Sequence, residues 1–108
     1  MRVLCFDTET TGLPIRKENG EKEYPYIVQI SWMIYDTKER YIPTRYDTII
    51  SIPKEVDIPE RCIQIHGITK QKSKRYGIPI KMALEHFIGD LETVDQIIAH
   101  NLSFDRFM

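Results

Sequence analysis

Apolar and polar positions alternate along this chain in two different periods, and the change of period marks out the elements. Val3 to Phe6 is a continuous apolar run that meets acidic, Thr-rich sequence at Asp7, the pattern of a strand covered on both faces. Gly12 and Pro14 end it. Residues 15 to 25 are polar and charged and read as an exposed loop. Ile27 to Tyr35, rich in Ile, Val, Trp and Tyr, predicts a second strand. Asp36 to Glu39 then forms a turn, and Tyr41 to Ile52 returns as the third strand of a hairpin. Pro43 cannot donate to a ladder, so it places this strand at a sheet edge or marks a bulge. Pro53 to Pro59 is a connecting loop.

Further on the period lengthens. Ile80, Ala83, Leu84, Phe87, Ile88 and Leu91 recur at the spacing of one helix face, with Lys81, Glu85 and His86 largely off it. Pro79 suits the first turn. Gln96 to Ala99 is a short apolar strand, and residues 102 to 108 look like the opening of another helix. The order is βββ-α-β-α, an α/β arrangement. The sequence stops three residues after Asp105, and the strand at 96–99 has no successor. Residues 1–108 are therefore expected to be the N-terminal part of a single domain, truncated at its C-terminus.

Composition changes this picture little. At 108 residues the chain suits one small domain. Its 42% hydrophobic and 29% charged residues are ordinary for a soluble protein. A net charge of -1 means that the field of the whole molecule does not draw nucleic acid in, so any such contact is local. Of the two cysteines, Cys5 reads as a small core residue, and a Cys5–Cys62 disulfide stays open without signs of a secreted disulfide scaffold. The start is too short for a signal peptide and no stretch approaches transmembrane length, so the expected setting is cytoplasmic, with no membrane partner.

The strongest chemical signal is Asp7-Thr8-Glu9-Thr10-Thr11-Gly12-Leu13. Residues i and i+2 of a strand share a face, so Asp7 and Glu9 project together at the strand's C-terminal end. Adjacent carboxylates repel, and a divalent cation removes that conflict. Oxygen ligands without His or Cys favour Mg²⁺ or Mn²⁺ over Zn²⁺. The plainer alternative is a solvated acidic turn, but an apolar strand precedes the pair, and Thr-Thr-Gly can bring backbone N–H groups close to a ligand. The second signal is Ile98-Ala99-His100-Asn101-Leu102-Ser103-Phe104-Asp105, a strand leading into a helix with Asp105 in its first turn. An acid there is either a partner of the helix dipole or a ligand. If the two strands run parallel, Glu9 and Asp105 follow strand ends on one sheet edge, where open α/β sheets place their sites.

These two blocks, with Ile65-His66-Gly67-Ile68-Thr69 between them, resemble the DEDD exonuclease superfamily, of the His-containing DEDDh kind, with its nearest likeness among proofreading epsilon subunits of bacterial DNA polymerase III. The three blocks occur in the family's order along nearly the whole chain. The resemblance implies a ribonuclease H-like fold with a mixed β-sheet. It implies 3′→5′ hydrolysis of phosphodiester bonds with two ions, Mg²⁺ or Mn²⁺. Asp7, Glu9 and Asp105 would be the catalytic metal ligands. A fourth Asp and a general-base His or Tyr belong to a later family motif that this sequence does not contain, and neither His66 nor His100 fills that role.

For the substrate, the resemblance points to Thr10, Thr11, Gly12 and Leu13 around the terminal nucleotide, Leu13 being equally readable as core. His66, His100, Asn101 and Phe104 would lie near the site; Asn101 equally reads as a helix cap and Phe104 as core. Lys70, Lys72, Lys74 and Arg75 form a basic cluster that is either a solvated face or a contact with phosphates away from the scissile bond. Tyr24, Tyr26, Trp32, Tyr35, Tyr41 and Tyr46 read as sheet packing rather than base-stacking platforms. The expected partner is the 3′ end of single-stranded DNA, with a DNA polymerase alongside if the role is proofreading. RNA as substrate, or a non-catalytic binding module on the same fold, are the alternatives.

Overall fold

The computed structural model describes residues 1–12, 15–16 and 18–99. Its elements are β1 (Arg2–Thr10), β2 (Ile15–Arg16), β3 (Lys22–Glu23), β4 (Ile27–Asp36), β5 (Tyr41–Ile49), α1 (Glu60–His66), α2 (Lys70–Tyr76), α3 (Ile80–Leu91) and β6 (Gln96–Ala99). One mixed sheet runs β5-β4-β1-β6, antiparallel except for β6, which lies parallel to β1. The start of β6 is fixed by reciprocal bonds: Asp95 N–H donates to Arg2 O, and Arg2 N–H donates to Asp95 Oδ2, both at 2.8 Å. Where a loop was expected at 15–25, β2 and β3 pair as a small hairpin.

Pro43 meets both of its expected conditions. β5 is an edge strand, and the register passes from Ile34↔Thr44 to Asp36↔Tyr41, so Ile42 and Pro43 together stand opposite Tyr35 in a bulge. A second bulge lies beside Glu9. Glu9 pairs with Gln29 but Thr10 with Ile27, leaving Val28 as the extra residue. Val28 keeps the buried alternation of Ile30, Trp32 and Ile34 but packs in a second cluster, with Cys62 of α1.

The first cluster joins one sheet face to α3 through Leu4, Ile30, Trp32, Ile34, Ile50 and Ala83. Trp32 is its pivot. Its ring stacks on Tyr46 at 4.3 Å and meets Phe87 edge-on at 5.1 Å, while Nε1–H donates to Asp90 Oδ2 at 2.7 Å. Each aromatic pair adds about 0.5–1.5 kcal/mol beyond area burial. That Asp90 bond rolls α3 away from the expected phase. Ile80, Ala83, Phe87 and Leu91 face the sheet, but Leu84 and Ile88 are exposed. His86, expected off the packed face, instead lies 4.3 Å from the Tyr46 ring, with Nε2 3.7 Å from Asp90 Oδ2. Of the other aromatics, Tyr24, Tyr26, Tyr35 and Tyr41 are exposed, so only Trp32 and Tyr46 carry the sheet packing expected of the set.

The second cluster comprises Val28, Ile58, Cys62 and Ile68. It seats α1, while α2 is held by its buried Ser73; periodicity reveals neither helix. Gly67, at φ 72, caps α1 and donates its N–H to Ile63 O. Thr69 caps α2 by accepting from Lys72 N–H. Cys5 and Cys62 are both free thiols, Cys5 only half-buried. Ile97 and Ile98 of β6 are exposed among the described residues. No helix among them is long and apolar enough to cross a membrane.

Candidate active site

The C-terminal half of β1 builds the site. Asp7 pairs with Ser31 and Glu9 with Gln29, and both stand at odd positions of the strand, on the face opposite Leu4 and Phe6. Leu4 and Phe6 bind the strand to α3, which leaves the two carboxylates on the other face, half-buried, with Cα atoms about 6.6 Å apart by strand rise. The row continues across the sheet from Asp7 through Ser31 to Asp47, whose Oδ1 accepts from Gln29 Nε2 at 2.9 Å. Asp47 is thereby held toward Gln29, and the Asp7–Glu9 pair remains as the acidic edge of the strand.

The turn after Glu9 is locked from within. Thr10 is buried, and its Oγ1–H donates to Gly12 O at 2.9 Å while accepting from Gly12 N–H at 3.2 Å. Gly12 has φ 144, a conformation that side-chain-bearing residues rarely adopt. Thr11 N–H donates to Tyr26 O, and Tyr26 N–H donates to Thr11 Oγ1, both at 3.0 Å. Of the backbone N–H groups of Thr-Thr-Gly, that of Gly12 is bonded inside the turn and that of Thr11 to Tyr26 across it.

His66 ends α1, and its ring bridges two segments. Nδ1 accepts from Ile68 N–H at 3.0 Å, so the proton of the neutral ring sits on Nε2, which donates to Thr10 O at 3.2 Å. His66 thus holds the end of β1 against α1. The preceding Ile65 is 80% exposed, a large apolar side chain presented to solvent next to the site. Ile65 stands three residues after buried Cys62, a spacing that predicts the same helix face, so its exposure is not legible from the periodicity of α1.

β6 brings the chain to the same edge. Ala99 pairs with Phe6, one residue short of the level of Asp7. The expected site residues Leu13, His100, Asn101, Phe104 and Asp105 lie outside the described residues. Among the described residues no three or more His, Cys, Asp or Glu gather around one point. The Asp7–Glu9 pair is an all-oxygen donor set on one face, which fits a hard divalent cation rather than zinc.

Comparison with known proteins bears on the fold and the family. No curated protein matches the chain. Among solved structures, E. coli exonuclease I in complex with a dT13 oligonucleotide aligns with TM-score 0.70 and 21% identity over 96% of this chain and 21% of its own. Exonuclease X in complex with 5′ overhanging duplex DNA aligns with TM-score 0.66 and 24% identity over 96% of this chain and 51% of its own. The nuclease domain of 3′hExo, a DEDDh family member bound to rAMP, aligns with TM-score 0.64 and 14% identity over 93% of this chain and 52% of its own. The chain therefore spans about half or less of the length of these structures. The fold they share is the mixed-sheet, ribonuclease H-like exonuclease fold. The model of the RNase T family, described as exonuclease, matches residues 4–106. The chain belongs to this exonuclease family.

Proposed function

We propose that residues 1–108 form the N-terminal part of a single 3′→5′ exonuclease domain that removes nucleotides from the 3′ end of a nucleic-acid strand. The observation that carries this reading is that Asp7 and Glu9 share one face of β1, at the edge to which parallel β6 delivers Ala99. Asp105, six residues further along the chain, is the third carboxylate of the proposed set. Asp7, Glu9 and Asp105 would hold Mg²⁺ or Mn²⁺, and the bound ions would supply Lewis-acid activation of water and charge neutralisation at the phosphate.

The chain's own residues prepare that site. Leu4 and Phe6, packed on the core under α3, fix the strand on which both acids stand. His66 and the Thr10–Gly12 turn set where the strand ends, and therefore where Glu9 points. Ile65 offers apolar surface beside the site, suited to the face of a terminal base. The proton acceptor for the attacking water and a fourth carboxylate are assigned to a later part of the whole protein. Proofreading beside a DNA polymerase, or trimming of RNA, are both uses to which such a domain can be put.

The test is incubation of the full-length protein with 5′-labelled single-stranded DNA and RNA in Mn²⁺. The expected product is a ladder shortening from the 3′ end with release of mononucleotides. The faster polymer identifies the substrate. Loss of the ladder in Asp7→Ala, with the far-ultraviolet spectrum preserved, supports the assignment; undiminished cleavage moves the site elsewhere.

A further inference from the structure

We propose that the outer face of α2, carrying Lys70, Lys72, Lys74 and Arg75, binds the sugar–phosphate backbone of the strand whose 3′ end lies at Asp7 and Glu9. The direction of that strand rests on the function proposed above; the surface itself rests on its own observations.

The first is charge. Four of the seven residues of α2 are cationic and none is acidic. The chain as a whole stands at -1, and without these four cations it stands at -5. A cationic helix on an otherwise acidic molecule is a local device for an anion. Two of the four cations stand against the helix dipole, while Lys74 and Arg75, in the last turn, stand with it. Lys70 and Lys72 occupy the first turn, where positive charge costs about 0.3–1 kcal/mol, and no acid there offsets it. Lys70 has an ion pair with Asp57 at 3.0 Å, but among the described residues none joins Lys72, Lys74 or Arg75 to an acid.

The second is orientation. Ser73 is buried, its Oγ–H donating to Ile50 O at 2.7 Å and accepting from Ile52 N–H at 3.1 Å. That anchor turns one side of α2 to the body of the protein and leaves Lys72, Lys74 and Arg75 exposed. Arg75 lies 5.3 Å from the centre of the exposed Tyr76 ring, so the cation and an aromatic face are presented together.

The third is position. Lys72 Nζ donates to Gly67 O at 3.1 Å, and the neighbouring His66 donates to Thr10 O, the residue after Glu9. Two hydrogen bonds thus join the basic helix to the acidic end of β1. A seven-residue helix is about 10 Å long. At about 3.4 Å per phosphate along one strand, that length accompanies about three nucleotides.

The experiment measures binding of a fluorescent oligo-dT to the chain in EDTA across a salt series, so that it is independent of cleavage. The wild type is expected to bind with a log–log salt slope of up to about -2.8, four contacts at about 0.7 each. Lys74→Glu/Arg75→Glu should weaken binding about tenfold or more at low salt and flatten the slope by about 1.4. Lys74→Gln/Arg75→Gln should do the same more mildly, with a folded spectrum. Lys38→Glu/Arg40→Glu makes the same change of net charge in the β4–β5 turn and should have a much smaller effect. No binding by the wild type, an unchanged slope in the α2 variants, or equal losses in both charge-matched pairs would each overturn the proposal. So would α2 variants that lose poly-glutamate but keep oligo-dT, which would identify an acidic protein as the partner. Cleavage without strip-dependent binding would sink this surface alone. Strip-dependent binding by a full-length protein that never cleaves would sink the nuclease reading alone.

Discussion

His66 Nε2 donates to the carbonyl oxygen of Thr10 at 3.2 Å, while its Nδ1 accepts from Ile68 N–H, so one neutral ring joins α1 to the residue that follows Glu9. A histidine in the neighbourhood of paired acids invites a catalytic role, but both ring nitrogens here are occupied by backbone groups. The consequence is positional. Removing the ring frees Thr10 O and Ile68 N–H and loosens the end of β1.

His66→Ala is therefore expected to lower stability by about 1–2 kcal/mol, the scale of one or two lost hydrogen bonds. Urea melts measure this. In the full-length enzyme the same variant should raise the Mn²⁺ concentration needed for half-maximal activity more than it lowers the rate at saturating Mn²⁺. A rate loss that excess Mn²⁺ does not relieve would assign the ring to the chemistry instead.

Asp7 and Glu9 project from one face of β1 with no cationic side chain among their register partners, Ser31 and Gln29. A divalent ion that binds the folded chain through them should stabilise it. At ten times the dissociation constant the gain is about 1.4 kcal/mol. For a domain of this size that corresponds to a rise in melting temperature of about 6–11 °C. Thermal melts with and without Mn²⁺ should show the rise in the wild type and its loss in Asp7→Asn and Glu9→Gln. An equal rise in all three would place the ion elsewhere.

How far the sequence led follows from the range of each interaction. The common face of Asp7 and Glu9 follows from the two-residue repeat of a strand, and the bounds of α3 from twelve residues of helical spacing; both are local. The roll of α3 is not local, because it depends on Asp90 reaching Trp32 from 58 residues away. The bonds that hold Thr11 are not local either: Tyr26, fifteen residues on, accepts the Thr11 N–H and donates to its hydroxyl. α1 and α2 have seven residues each, too few for a periodic signal. Their ends are set by the left-handed Gly67 and the capping Thr69, which stand in the sequence only as part of the Ile65–Thr69 block.

Asp36 makes one prediction about acid. Its Oδ1 accepts from Glu39 N–H at 2.9 Å and from Lys38 N–H at 3.0 Å, and its Oδ2 meets Arg2 Nε at 3.3 Å. The Glu39 bond, helped by Arg2 and Lys38 and opposed by desolvation, holds the carboxyl below its ordinary range. A carboxylate depressed in the folded state contributes stability that is fully present above its unfolded value, near 3.9, and is lost as pH falls through the lower folded value. Asp36→Asn keeps an acceptor for the two N–H groups and removes the charge. Its urea midpoint should therefore fall less than that of the wild type as pH drops below about 4. Parallel curves for the two proteins would remove Asp36 as the source.

Two glycines flank the basic helix, and they should respond differently to the same substitution. Gly77 has φ -73, which any residue adopts, but an added Cβ would collide with Ser73 O and lie 2.5 Å from Ser51 N. Ser73 O accepts the Gly77 N–H that closes α2, and Ser51 N–H donates to Ile78 O at 2.9 Å, so both atoms are held where α2 meets the segment after β5. Neither neighbour is a flexible side chain, so the backbones must part. Gly67 presents the opposite case, with open space around its Cβ but φ 72. Gly67→Ala is expected to cost about 1 kcal/mol, the penalty of a left-handed alanine, and to leave α2 in place. Gly77→Ala is expected to cost about 1–3 kcal/mol by overpacking and to displace α2. Because α2 carries the proposed backbone-binding strip, Gly77→Ala should also weaken oligo-dT binding in EDTA beyond what Gly67→Ala does. If the two alanines have equal effects on both stability and binding, the seating of α2 against Ser51 does not control where its cations stand.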